Sequence, residues 1–144
     1  MTKRGLITLS AILLFFTGIA ILHRYTLEST LLYFLDIEST NIMNASICDA
    51  NDCINTEIKL DSEQVETMIQ LFSQTKIKKL HERSAIQNSY ARFFFETEDY
   101  KRYEVLLASN EVLINHLNYN KWYVYSITSP NNDLEVFVRK LFSQ

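Results

Sequence analysis

The chain has 144 residues, a formal charge of −3 from 14 Lys and Arg against 17 Asp and Glu, two cysteines and two glycines. Three of the basic residues (Lys3, Arg4, Arg24) and none of the acids precede residue 25, so the remainder carries 11 positive against 17 negative charges, a balance of −6. Such a balance argues against a nucleic-acid partner, which needs a net basic face to displace counterions, and it suits a cationic protein partner.

Gly5 to Leu22 (GLITLSAILLFFTGIAIL) is an uncharged apolar run of 18 residues, interrupted only by the hydroxyls of Thr8, Ser10 and Thr17. As an α-helix it would be about 27 Å long, close to the ~30 Å hydrocarbon core of a bilayer. Lys3 and Arg4 before it, and His23 and Arg24 after it, prefer water or headgroups. The run reads as an uncleaved signal anchor over residues 1–24. The alternative is a cleaved signal peptide, with residues 6–16 as its apolar core and Gly18-Ile19-Ala20 before the cut. Apolar character continues through Ile21 and Leu22, which favours the anchor, and the lack of a nearby Cys excludes a lipoprotein anchor. Lys3 and Arg4 outweigh Arg24, so the amino terminus is expected in the cytoplasm and the rest of the chain outside it.

Both glycines, Gly5 and Gly18, lie in this run. The remaining residues therefore hold no Gly-rich phosphate loop, dinucleotide fingerprint or nucleophile elbow, all of which need glycine for close backbone approach or positive φ. Their turns must rely on Asn and Asp, which enter the left-handed region more readily than other side chains.

Residues 25–36 place Leu27, Leu31, Phe34 and Leu35 at helical spacing and predict a juxtamembrane stalk helix. Residues 37–51 are rich in Asn, Ser and Thr and read as a loop; Asn44-Ala45-Ser46 within it matches a glycosylation acceptor, meaningful only in a eukaryotic secretory route. Cys48 and Cys53 (CDANDC) read first as a disulfide, given the expected oxidising compartment. A zinc half-site completed by His81 and His116 lacks a second closely spaced ligand pair, and a calcium loop on Asp49, Asn51 and Asp52 lacks its third oxygen and its glycine. Residues 25–53 are thus expected to form a stalk and disulfide loop, and residues 54–144 the folded domain.

Within that domain Ile54, Thr56, Ile58 and Leu60 alternate with polar residues and predict a half-buried strand. Asp61 and Gln64 form a capping-box signature, followed by Val65, Met68, Ile69 and Phe72 on one helical face. Thr75 to Leu80 predicts a short strand whose Lys76, Lys78 and Lys79 read as a solvated or an edge-protecting face, with lipid headgroups or an acidic partner as alternatives. Tyr90 to Thr97, Lys101 to Ala108, Glu111 to Leu117 and Lys121 to Ile127 predict an antiparallel meander. Asn132 and Glu135 suggest a second capping box, before Leu134, Phe137, Val138, Leu141 and Phe142 on the inner face of a closing helix. The expected class is α+β: about five antiparallel strands with two amphipathic helices on one face, preceded by the anchor.

Chemistry-bearing residues are sparse. His81 and His116 have no visible catalytic partner, and Glu96, Glu98 and Asp99 coincide with a predicted hairpin turn, so no catalytic constellation, cofactor or metal is expected. The aromatic content of the meander is the better hint. Tyr90, Tyr103, Trp122, Tyr123 and Tyr125 are candidate partner-binding residues; on the last strand Trp122 and Val124 face one side, and Tyr123, Tyr125 and Ile127 the other. The layout of export segment, small acidic α+β domain and one disulfide resembles bacteriocin immunity proteins and other periplasmic inhibitors, a resemblance of layout that carries over no residue. It implies a non-enzymatic, membrane-anchored module that binds an exported toxin or lytic enzyme. An accessory subunit of a membrane or envelope complex is the second reading, and an envelope hydrolase the third.

Overall fold

The computed structural model describes residues 12–19, 28–35, 37, 41–80, 86–129 and 132–143. Residues 12–19 form a helix (α1), the described part of the apolar run; the rest of the expected anchor lies outside the described residues. Among the described residues no helix is long and apolar enough to cross a membrane.

The four strands of the meander lie where their alternation places them: β5 (Ala91–Thr97), β6 (Arg102–Leu107), β7 (Glu111–His116) and β8 (Lys121–Ser129), each antiparallel to the next. Two of their turns depend on left-handed residues, Tyr100 (φ 60°) and Asn120 (φ 49°). The asparagine fits the expectation for a glycine-free domain, whereas Tyr100 is held by local bonds. Its amide donates to the Thr97 carbonyl (2.9 Å) and its own carbonyl accepts from Asn118 Nδ2 (3.0 Å).

The sheet is larger than expected, with eight strands rather than about five, in the order β1 (Glu28–Thr30), β4 (Lys76–Lys79), β8, β7, β6, β5, β2 (Ile42–Asp49), β3 (Ile58–Lys59). Two segments supply strands that were not expected, and a third differs in extent. Within the stretch expected to be a loop, β2 (Ile42–Asp49) pairs antiparallel with β5 along its length. Its apolar phase is hidden because Met43 is bulged, Ile42 facing Thr97 while Asn44 already faces Glu96. Residues 28–35 of the expected stalk are not one continuous helix. They supply β1 (Glu28–Thr30), paired with β4 (Lys76–Lys79), and a short helix α2 (Leu31–Leu35) whose Leu31 and Leu35 are fully buried. Residues 28–35 and 42–49 therefore take part in the sheet and its core. Finally, the strand expected over residues 54–60 shrinks to β3 (Ile58–Lys59), because Cys53–Thr56 form a helical turn (α3). The Thr56 hydroxyl donates to the Asp52 carbonyl (2.6 Å) and accepts from the Asp49 amide (2.9 Å), which closes that turn and leaves Ile54 in solvent.

Helix α4 (Ser62–Gln74) begins with the expected capping box: Asp61 Oδ1 accepts from the Gln64 amide (2.8 Å) and Gln64 Oε1 from the Asp61 amide (3.0 Å). In α5 (Asn132–Phe142) Asn132 is the first helical residue rather than the cap, and Glu135 is engaged by Arg139 one turn on (2.6 Å). Helices α2, α4 and α5 share one face of the sheet. Met68, Ile69, Leu71 and Phe72 of α4 and Leu134, Val138 and Leu141 of α5 enter one apolar core with Ile47, Phe93, Phe95, Val105, Val112 and Ile114 from the strands. Phe72 sits at its centre, edge-on to Phe93 (5.5 Å) and Phe95 (5.9 Å). Each such buried side chain contributes about 1.5–3 kcal/mol by removal from water.

Candidate functional site

Because side chains alternate along a strand, the face away from the helices follows from the same registers. One row across it runs Ser46, Phe94, Glu104, Asn115, Trp122; a second runs Cys48, Arg92, Leu106, Leu113, Val124; a third holds Asn44, Glu96 and Arg102. Four charges near the middle of this face are paired. Arg92 meets Glu104 (3.3 Å), whose other oxygen accepts from Asn115 Nδ2 (3.0 Å), and Arg102 places Nε and Nη2 on Glu96 Oε1 (3.1 and 3.0 Å). Glu104 and Glu96 are only 16% and 22% exposed, so these pairs are partly desolvated and held by more than one bond. Arg92 Nε and Asn115 Oδ1 are buried without a hydrogen-bond partner, which leaves one donor and one acceptor under this surface unsatisfied. The face thus offers flat apolar area (Phe94, Leu106, Leu113, Trp122) between fixed ion pairs.

At the β2–β3 margin the surface dips into a groove of about 560 Å³. Its walls include Met43, Lys59, Asp61, Glu66, Phe94 and Arg102. Phe94 and its neighbour Phe95, which point to opposite sides of β5, both line it, so it reaches around the edge of the sheet where β3 pairs only with Ser46 and Ile47 of β2. Beside it is the α3 turn, stapled by Cys48 and Cys53, which stand at disulfide geometry with Cα atoms 4.8 Å apart. On that turn Ile54 is 95% exposed. Residues 49–66 hold Asp49, Asp52, Glu57, Asp61, Glu63 and Glu66 against Lys59 alone, so the margin is acidic.

The five aromatic candidates do not form one surface. Tyr103 and Tyr125 are buried in the core, at 2% and 5% exposure, and Tyr123 is partly buried against it beneath Lys79, whose Nζ lies 4.3 Å from the ring. Tyr90 packs on the core from the segment before β5. Burial pushes the Tyr90 phenol up to about 12, helped by the nearby Glu135 charge, and burial with the neighbouring Tyr123 pushes Tyr125 to about 12. Trp122 alone, 37% exposed, reaches the open face. The tyrosine side of β8 packs on the helices because it continues the phase of Val112 and Ile114. Missed from the sequence were Ile54, whose alternation with Ile58 disguised it as core, and the Arg92–Glu104–Asn115 group, whose members lie on three strands. The ANDC turn signal before Ile54 was the one available clue to its exposure.

His116, partly buried, ends β7 with its ring edge-on to Tyr103 (4.8 Å); His81 lies outside the described residues. Asp99 occupies the expected hairpin turn, where hydrogen bonds from Lys101 and Thr97 hold its carboxyl below the usual range. Among the described residues no group of three or more His, Cys, Asp or Glu could hold a metal ion. Comparisons with protein family models, curated proteins and solved structures find no match.

Proposed function

We propose that this chain is a protein-binding module, tethered by residues 5–22 to the outer side of a cytoplasmic membrane, that neutralises a cationic exported toxin or lytic enzyme. The observation that carries the reading is the sheet face turned away from the described helices, where Phe94, Leu106 and Leu113 are half-buried and Trp122 is exposed. It joins apolar side chains to preformed ion pairs and leads into an acidic groove, and desolvatable apolar area beside fixed charge is the composition of a protein-recognition surface. The acidic margin favours a cationic partner, since opposite potentials speed encounter and fix register. The described part of the apolar run agrees with a lipid environment: Ile12, Leu13, Leu14, Phe15, Phe16 and Ile19 are exposed, and the Thr17 hydroxyl is satisfied within its own helix by the Leu13 and Leu14 carbonyls (2.9 and 3.0 Å).

The test is inhibition. Full-length chain in membrane vesicles is assayed against a panel of exported toxins and cell-wall-lytic enzymes, including any encoded beside its gene. Inhibition of one member, lost on Trp122→Ala with Phe94→Ala, is the expected result; no inhibition across the panel removes the reading. Replacing residues 5–22 with an unrelated spanning helix separates the alternative, an accessory subunit of an envelope complex. Inhibition survives that exchange, whereas assembly through the membrane segment does not.

A further inference from the structure

The edge-protecting role expected for Lys76, Lys78 and Lys79 does not fit the fold, because β4 is an interior strand, flanked by β1 on one side and β8 on the other. Lys76 and Lys79 are exposed and Lys78 partly so, and none of the three forms an ion pair among the described residues, in contrast to Arg92, Lys101, Arg102 and Arg139. Glu28 is the sole acid on β1 or β4, and it accepts a hydrogen bond from the Thr128 hydroxyl. The sheet is therefore electrically polarised across its width, basic at β4 and acidic at the β2–β3 margin, about 29 Å away by six strand spacings of ~4.8 Å.

Chain connectivity says which margin is nearer a membrane. Five residues lie between Leu22, the end of the apolar run, and Glu28, the start of β1, a reach of at most about 22 Å. Tyr33, 64% exposed on α2 directly after β1, adds an amphipathic ring of the kind enriched at headgroup level, and the Leu31 amide ties α2 to the Thr75 carbonyl (2.8 Å), next to Lys76.

We infer that Lys76, Lys78 and Lys79 rest on anionic lipid headgroups, so that the sheet stands with its β1–β4 margin on the bilayer and its acidic β2–β3 margin facing away. Positive charge at the tethered end is drawn to the negative surface and the opposite end is repelled, which orients the groove and the Ile54 turn outward. This placement rests on the tether of the preceding section, so the experiment scores the two separately.

Full-length chain is reconstituted into vesicles of phosphatidylcholine alone or with one-third phosphatidylglycerol, and the acetylation rate of each lysine is read by mass spectrometry. A surface potential of about −30 mV lowers the local pH enough to slow amine acetylation about threefold, an effect confined to a Debye length of ~8 Å. Lys76, Lys78 and Lys79 should therefore react about threefold more slowly in the anionic vesicles, Lys59 at an unchanged rate, and 1 M salt should abolish the difference. Equal rates in the two lipids, or equal slowing of Lys59, overturn the inference. Alkaline carbonate washing scores the tether: a chain that washes off, yet shows slowed β4 lysines before the wash, breaks the tether and keeps the headgroup contact. A chain that resists washing without any lipid dependence does the reverse.

Discussion

Along β5 alternate side chains enter two different environments. Phe93 and Phe95 meet Phe72 beneath the helices, while Arg92, Phe94 and Glu96 look out from the other face beside Glu104 and Arg102. The covered side is apolar and closed to water; the open side keeps large rings but intersperses them with charges already matched in pairs. One sheet thus has two environments. Residues under the helices hold the fold through burial, and residues on the open face, less removed from water, contribute less to it.

Mutations on the two faces should diverge accordingly. Phe72→Ala removes a fully buried ring from the centre of the covered face and should cost about 3–5 kcal/mol, measured by urea unfolding of the full chain in detergent; a loss under 1 kcal/mol would mean the helices do not close that face. Alkaline titration probes the same side without mutation. The Tyr90 and Tyr125 phenols are raised to about 12 from 10, so the stability their neutral forms contribute is complete below pH 10 and lost as pH rises from 10 to 12. Absorbance at 295 nm should accordingly show Tyr90 and Tyr125 ionising late, with unfolding.

Smaller effects belong to the margins. Replacing Cys48 and Cys53 together by Ser should cost about 2 kcal/mol by the loop-entropy model, read as a lower thermal midpoint that reductant reproduces in the unmodified chain. Asp61→Ala removes the cap of α4 and should cost about 1 kcal/mol, with Asp61→Asn restoring most of it. Trp122→Ala, on the open face, should change stability by under about 0.5 kcal/mol while removing the single indole from the proposed binding surface. A large stability loss there would show that the open face is a second core and would erase the contrast between the two sides.

The meander was legible because each of its strands pairs with its neighbour in sequence, so alternation and turn residues within a short window suffice to locate it. Both long helices were legible for the same reason, their apolar faces and the Asp61–Gln64 box being local signals. β2 was not. Its partners on β5 lie 42 or more residues away, its phase is broken by the Met43 bulge, and its polar open-face residues, Asn44 and Ser46, mimic a loop. The candidate site shared that fate, since Arg92, Glu104 and Asn115 converge from three strands without any spacing rule to announce them.

By itself the sequence determined the apolar run, the α+β class, the meander, the two long helices and the neighbouring cysteines, all products of periodicity, charge and proximity along the chain. The tertiary structure decided that β1, β2 and β3 complete an eight-stranded sheet, that the tyrosine side of β8 goes under the helices while Trp122 stays out, and that β4 is interior. Those choices depend on which distant backbone edges and apolar faces satisfy one another, and pairing at long range leaves no periodic trace in the chain.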